Sequence, residues 1–291
     1  MSWKEDRLYT CQPYFVIDSS DFYQKILVKD GISHFYTFKM MDGQTVRIVP
    51  DGCIDLIFGY DLFTGVLRAR VGGTTTEYKE KVKNHSERIF GVRLMPGVQT
   101  SLLTVTTRDL TGGELPLEEI LAGDHSLLDD MAAAATFDQR MVVFLDYYQR
   151  YSKKEEPFGK KSLVEAVKKR VYESDGRVRI HEMEKETGYS ERYINMVFLD
   201  EMGFSPKTFC KIIQFQRTLK YLNYGAPEKM TDAAVMLGYY DQPQFIRNFT
   251  HYAGMTPMRY LRLIREKHYS EVLPAVNFSF REALLRPGTP S

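Results

Sequence analysis

Cysteine is scarce in this chain: Cys11, Cys53 and Cys210 are the only three in 291 residues. They are far apart and form no CxxC pair. That excludes a disulfide framework and a cysteine-clustered zinc site, and makes the cytoplasm the expected location. Long apolar runs are missing too, whereas a membrane-spanning helix needs about twenty apolar residues. The opening MSWKEDRLYTCQ has no apolar core of the kind a secretory signal requires. The six histidines, His34, His85, His125, His181, His251 and His268, make no HxH or HExxH, which argues against a metal centre of the cupin kind. P-loop, GxSxG and GxGxxG motifs are absent. No catalytic residue, metal ligand or cofactor is therefore assigned, and the ligand-binding residues stay unassigned.

Charge of neither sign dominates the whole, with 39 Lys+Arg against 38 Asp+Glu. The near-balance hides an asymmetry. Residues 160–268 hold 19 basic and 13 acidic side chains, so the rest of the chain is net acidic. A basic part joined to an acidic one suits a nucleic-acid-binding half and a half with another task.

Residues 230–262, MTDAAVMLGYYDQPQFIRNFTHYAGMTPMRYLR, are the densest in local signals. The apolar set Ala233, Ala234, Val235 and Leu237 predicts a short helix that stops at Gly238. Three residues on, Asp241 can cap a second helix, with Gln244 at its third position able to reach back. Phe245 and Phe249 fall on one face of that helix. Gly254 ends it, and Thr256-Pro257 opens a third. Helix, glycine turn, helix is the helix-turn-helix layout, whose second helix enters the DNA major groove.

The pattern occurs twice. Gly188-Tyr189, the cap Ser190, Ile194, Phe198, Gly203 and Ser205-Pro206 repeat Gly238-Tyr239, Asp241, Phe245, Phe249, Gly254 and Thr256-Pro257. Between the two copies, residues 206–223 predict one helix, with Phe209, Ile212, Ile213, Leu219 and Leu222 at threes and fours. Its length is roughly 27 Å. Two recognition helices reading successive groove segments sit about 34 Å apart, so one chain could read both without pairing.

This arrangement resembles the AraC/XylS family of transcriptional regulators. The residues carrying the likeness are Gly238-Tyr239, Phe245, Arg247, Phe249, Gly254, Thr256-Pro257 and Tyr260. Further upstream, VPDGCIDLIFG (49–59), VGGTTTEY (71–78) and FGVRLMPGV (90–98) resemble the amino-terminal domain of one subgroup. The chain departs from the family at Met196, where Arg is common, and at Asp200-Glu201, where lysines are usual. Glu184 replaces a small apolar residue, Gln214 an Arg and Pro243 a polar residue. Lys160, Lys161, Lys168, Lys169, Arg170, Arg177 and Arg179 could compensate for the lost phosphate attraction, although a solvated face is as good a reading for each one.

Ahead of the repeats, apolar or alternating runs at 12–17, 33–39, 45–50, 53–59, 65–71, 88–95 and 99–106 predict strands. Helical patterns follow at about 117–134 and 138–151. In the latter, Met141, Phe144, Leu145 and Tyr148 form a stripe that packs on the strands or serves association. Asp55 interrupts an apolar strand, and its natural partner is Arg93, as a structural pair in preference to a ligand contact.

The expected fold is α+β: an amino-terminal β-barrel or sandwich with two following helices, then an all-α part of seven helices holding two helix-turn-helix units joined by a linker helix. The expected divisions are 1–151 for sensing or association, 152–160 as linker, 161–268 for DNA and 269–291 as tail. The expected function is sequence-specific, DNA-binding transcription regulation. Base or phosphate contact is expected from Ser190, Arg192 and Asn195 in the first unit and Gln242, Gln244 and Arg247 in the second, since Arg and the amides match guanine and adenine edges. Capping is the bland alternative for Gln244. Expected partners are double-stranded DNA and a small-molecule effector, with RNA polymerase and a second copy of the chain as further candidates, and no membrane. The competing readings are a β-barrel enzyme or DNA-repair protein fused to the same module, and an architectural DNA binder.

Overall fold

The computed structural model of the chain describes residues 10–98, 101–151, 159–224 and 230–269. The expected linker at 152–160 lies almost wholly outside the described residues, and so does the expected tail beyond Tyr269. Among the described residues, no helix is long and apolar enough to cross a membrane.

Among the described residues the amino-terminal part is built on eight strands: β1 Ser20–Lys29, β2 Ile32–Met40, β3 Thr45–Ile48, β4 Ile54–Asp61, β5 Leu67–Gly72, β6 Lys79–Val82, β7 Glu87–Leu94 and β8 Glu114–Pro116. Six of them form one sheet in the order β1-β2-β7-β4-β5-β8, while β3 and β6 pair separately. The sheet stays open, ending at β1 and β8, and no closed barrel forms among the described residues. Helices make closure unnecessary. Phe35, Phe58, Phe90 and Val92 on one face pack against Met131, Met141, Phe144, Tyr147 and Tyr148. These come from α4 (Ser126–Ala133) and α5 (Phe137–Tyr151), which follow the short α2 (Thr107–Leu110) and α3 (Leu117–Ile120). The other face carries Tyr36 and Phe38, stacked at 5.8 Å, with Phe15 against them at 5.6 and 5.3 Å. Strand β2 is buried on both sides, with the polar Ser33, His34 and Thr37 buried beside its apolar residues.

Three local expectations are corrected. Residues 12–17 form not a strand but a one-turn helix, α1 (Pro13–Ile17), because Pro13 at its start presets a helical φ. The pattern at 117–134 is two helices, α3 and α4, parted at Gly123, whose φ is +90°. Of the run at 99–106, residues 99 and 100 lie outside the described residues, and among the rest Leu103 makes only an isolated bridge to Leu121.

The expected Asp55–Arg93 pair is present. The two residues are direct cross-strand neighbours on β4 and β7. Arg93 Nε and Nη2 donate to the two Asp55 carboxylate oxygens at 2.9 and 2.7 Å. Asp51, which the sequence reading did not include, adds a second carboxylate 2.8 Å from Nη1. Arg93 is 1% exposed. Burial pushes the Asp55 carboxyl above its usual range, against the pull of Arg93.

At the opposite end of β7, Glu87 is buried among Arg70, Lys83 and His85. Burial alone would raise its carboxyl, but Arg70 and Lys83 outweigh it and hold Glu87 down to about 2. A carboxyl lowered in this way stabilises the fold above its ordinary range near 4.5 and loses that contribution as pH falls towards 2. Glu87→Gln is therefore expected to lower stability near neutrality and to flatten the loss of stability between about pH 5 and 2. Denaturant titrations of parent and variant across that range check this, and parallel curves would refute it.

Candidate nucleic-acid interface

The carboxyl-terminal part has seven helices among the described residues: α6 Lys160–Glu173, α7 Ile180–Thr187, α8 Glu191–Met202, α9 Pro206–Tyr224, α10 Met230–Met236, α11 Gln242–Ala253 and α12 Pro257–Glu266. Pairs α7–α8 and α10–α11 are the two helix-turn-helix units, and α9 is the linker helix. Local chemistry sets each boundary. Gly188 and Gly238 leave the first helix of each unit at φ +74° and +78°, a left-handed conformation that favours glycine. The Ser190 hydroxyl accepts from Tyr193 N–H at 3.3 Å, and the Asp241 carboxylate from Gln244 N–H at 2.6 Å. Gly203 and Gly254 close α8 and α11 in the same left-handed way.

Each recognition helix turns an aromatic or aliphatic face inward. Ile194, Val197 and Phe198 of α8 pack with Val167, Val171, Met183 and Phe209. Phe245 of α11 packs with Ala234, Leu237 and Tyr239, and Phe249 with Phe215 and Tyr260. The opposite faces are left to solvent. Arg192 and Met196 are exposed on α8, as are Pro243 and Arg247 on α11. Counting from the caps Ser190 and Asp241, Met196 occupies the position of Arg247, and Arg192 that of Pro243. The extra residue that lengthens the second unit lies in its turn, at Tyr240.

The remaining expected contacts are partly engaged within the protein. Asn195 Nδ2 donates to the Glu191 carbonyl one turn back, at 2.9 Å. Gln244 Oε1 accepts from Tyr240 N–H at 2.8 Å, so its carbonyl caps the helix and its NH2 carries any outward contact. Gln242 is half-buried at the first position of α11. Of the basic side chains that could attract phosphate, Lys168 is buried and paired with Glu165, and Arg170 is paired with Glu186. Arg177 lays its aliphatic stem on Gly238 and donates from Nε to the Ser174 carbonyl.

Two features escaped the sequence reading. Tyr240, 91% exposed, stands directly before the cap of α11, and Tyr189 takes the same place before α8, stacked on Tyr193. The signal was their matched position ahead of each cap. Gln214, noted only as a departure, ties the linker helix to the second unit by donating to the Leu237 carbonyl at 3.1 Å.

A β-rich amino-terminal part followed by two capped helix-turn-helix units defines a DNA-binding transcription regulator. Residues 183–263 match the family model of a helix-turn-helix domain, and residues 27–116 match a domain of unknown function, DUF6597. The chain thus carries a helix-turn-helix domain behind a DUF6597 domain. No curated protein matches it. Among solved structures it is similar to the carboxyl-terminal domain of AraT, a response regulator from Geobacillus stearothermophilus. The identity is 18%, over 34% of this chain and 84% of that one, with a TM-score of 0.32. A DNA-binding transcriptional dual regulator from Escherichia coli K-12 is 19% identical over 41% of this chain and 99% of its own, with a TM-score of 0.31. Fatty-acid-bound ToxT from Vibrio cholerae is 12% identical over 84% of this chain and 96% of its own, with a TM-score of 0.40.

Proposed function

We propose that the chain reads a specific duplex sequence through α8 and α11, using Arg192 and Asn195 with the Ser190 cap in the first unit and Gln242, Gln244 and Arg247 in the second. The observation that carries this reading is the outward face of two separately capped helices joined by one linker helix. Arg247 supplies a bidentate donor where the first unit has only the thioether of Met196, so the second unit contributes more of the sequence readout. We divide the chain into an amino-terminal part for sensing or association, residues 1–151, and a DNA-reading part, residues 161–268, acting in the cytoplasm. A small-molecule effector, RNA polymerase and a second copy of the chain are its proposed further partners.

Selection of bound duplexes from a random pool by the full-length chain tests the reading. One enriched motif is expected, bound with an affinity that falls steeply with salt, because each neutralised phosphate releases a counterion. Enrichment of no motif at low salt would reject sequence-specific binding.

A further inference from the structure

Both recognition helices are gripped at the same place, the carboxyl end, by side chains of the amino-terminal part. At the end of α8, Arg108 Nη1 pairs with Asp200 at 3.0 Å. Thr111 fills the open side of Gly203, so that a Cβ there would run into its hydroxyl. At the end of α11, the Tyr14 hydroxyl donates to the Ala253 carbonyl at 2.6 Å. This carbonyl belongs to the last helical residue, whose ladder partner is missing, so Tyr14 acts as an external cap. Tyr78 covers Gly254 as Thr111 covers Gly203. Gly203 and Gly254 are equivalent positions in the two units, and each is roofed by a residue from the first 111 of the chain.

Between these grips the linker helix is held at its middle. Gln216, buried, accepts from Cys11 N–H at 2.7 Å and donates to the Pro50 carbonyl at 2.9 Å. The next residues are in the buried charge cluster: Gln12 Nε2 donates to Asp51 at 2.8 Å, and Asp51 faces Arg93. The apolar core of the second unit is shared in the same way. Tyr14, Val16, Ile17 and Val49 pack with Phe215, Leu219, Phe249 and Tyr260. The linker helix packs into the core of each unit, through Phe209 and Ile213 in the first and Phe215 and Leu219 in the second. Three grips on one sheet-based body further hold the two units against bending and twisting of that single helix.

We propose that the amino-terminal part sets the separation and relative rotation of the two recognition helices, with Tyr14 and Arg108 as positioning residues for the spacing of DNA that the chain accepts. This rests on the DNA-reading function above. One base pair inserted between the two contacted segments displaces the second by about 3.4 Å and turns it by roughly 35°. A rigidly held pair of helices cannot follow that change, and a freed pair can.

The test uses the full-length chain, the motif it selects, and duplexes in which the stretch between the two half-motifs is lengthened or shortened by one base pair. For the parent, each change is expected to weaken binding roughly tenfold, the order of one lost base contact. In the Tyr14→Phe/Arg108→Ala double variant, this penalty is expected to shrink to about threefold or less, with weaker binding on the original spacing. Tyr14→Phe keeps the ring but leaves the Ala253 carbonyl without its donor, while Arg108 sits in an exposed pair that contributes little to stability, so the variant is expected to melt below the parent yet stay folded at the temperature of the binding assay. Should the double variant unfold, Arg108→Ala alone carries the same expectation at smaller size. An unchanged spacing penalty overturns the proposal, and so does a uniform loss of affinity at every spacing, the mark of a merely structural role. A parent chain that selects no motif overturns the DNA reading itself, and the proposal with it.

Discussion

Arg93→Ala is expected to destabilise the fold by about 3–5 kcal/mol, the usual cost of stripping a buried ionic cluster of one partner. The variant keeps Asp51 and Asp55 facing each other with no cation between them. Asp51 is tied to Gln12 Nε2 and to Cys53 N–H, so it cannot swing out to water. Asp55→Ala is expected to cost less, because Arg93 retains Asp51 at 2.8 Å. The double variant should fall well short of the sum, since the two residues share one interaction. Denaturant midpoints for the parent, the two single variants and the double variant measure this order. Two single variants that unfold like the parent would show the cluster to be energetically idle. Gln216, one step away on the linker helix, makes the same cluster relevant to DNA, so Arg93→Ala is also expected to weaken operator binding under conditions in which the chain is still folded.

The second large effect is expected at Arg247. It is exposed on the outer face of α11, with no ion-pair partner among the described residues, so its fork is available to a guanine edge or a phosphate. Arg247→Ala is expected to weaken binding to the selected motif by roughly ten- to a hundredfold. Met196→Ala, at the equivalent position of α8, removes only an apolar contact and should cost a few-fold at most. The two outcomes for Arg247 differ in kind. A lost base contact relaxes specificity at one position, whereas a lost phosphate contact weakens all sequences alike and lowers the salt slope by about one. Titrations of parent and variants against the motif and its single-base changes separate them. If Met196→Ala proves the more damaging substitution, the assignment of the dominant readout to the second unit is wrong.

The helix-turn-helix units were legible in the sequence down to single residues, and the reason is range. A cap such as Asp241 and the Gln244 N–H it accepts are three residues apart, and a glycine ending a helix needs only its own φ. These signals do not depend on the rest of the chain. The Asp55–Arg93 pair was legible for another reason: a charge inside an apolar strand demands a partner, and few charges stood in comparable runs. The sheet was harder. Strand β1, SDFYQKILVK, sits at the edge of the sheet with no fully buried residue, and its apolar residues do not alternate cleanly with polar ones, so it was missed. Strands β6 and β8 are short and mostly exposed. Pro13 marked a helix start, but the apolar residues after it suit a strand equally well. Only their contacts with Tyr36, Phe38 and the second unit decide between the two.

Sequence by itself determined that this chain holds two helix-turn-helix units, where their recognition helices are capped and closed, and that Arg192 and Arg247 face outward. Those properties arise from hydrogen bonds and packing periods spanning a few residues. Tertiary structure alone decided that the sheet stays open under α4 and α5, that Asp51 joins the Arg93 cluster, and that Tyr14 and Arg108 reach the ends of the two recognition helices. Tyr14 lies 239 residues from the carbonyl it caps. A contact of that range leaves no periodicity in the sequence, because its geometry is set by how two separate cores pack.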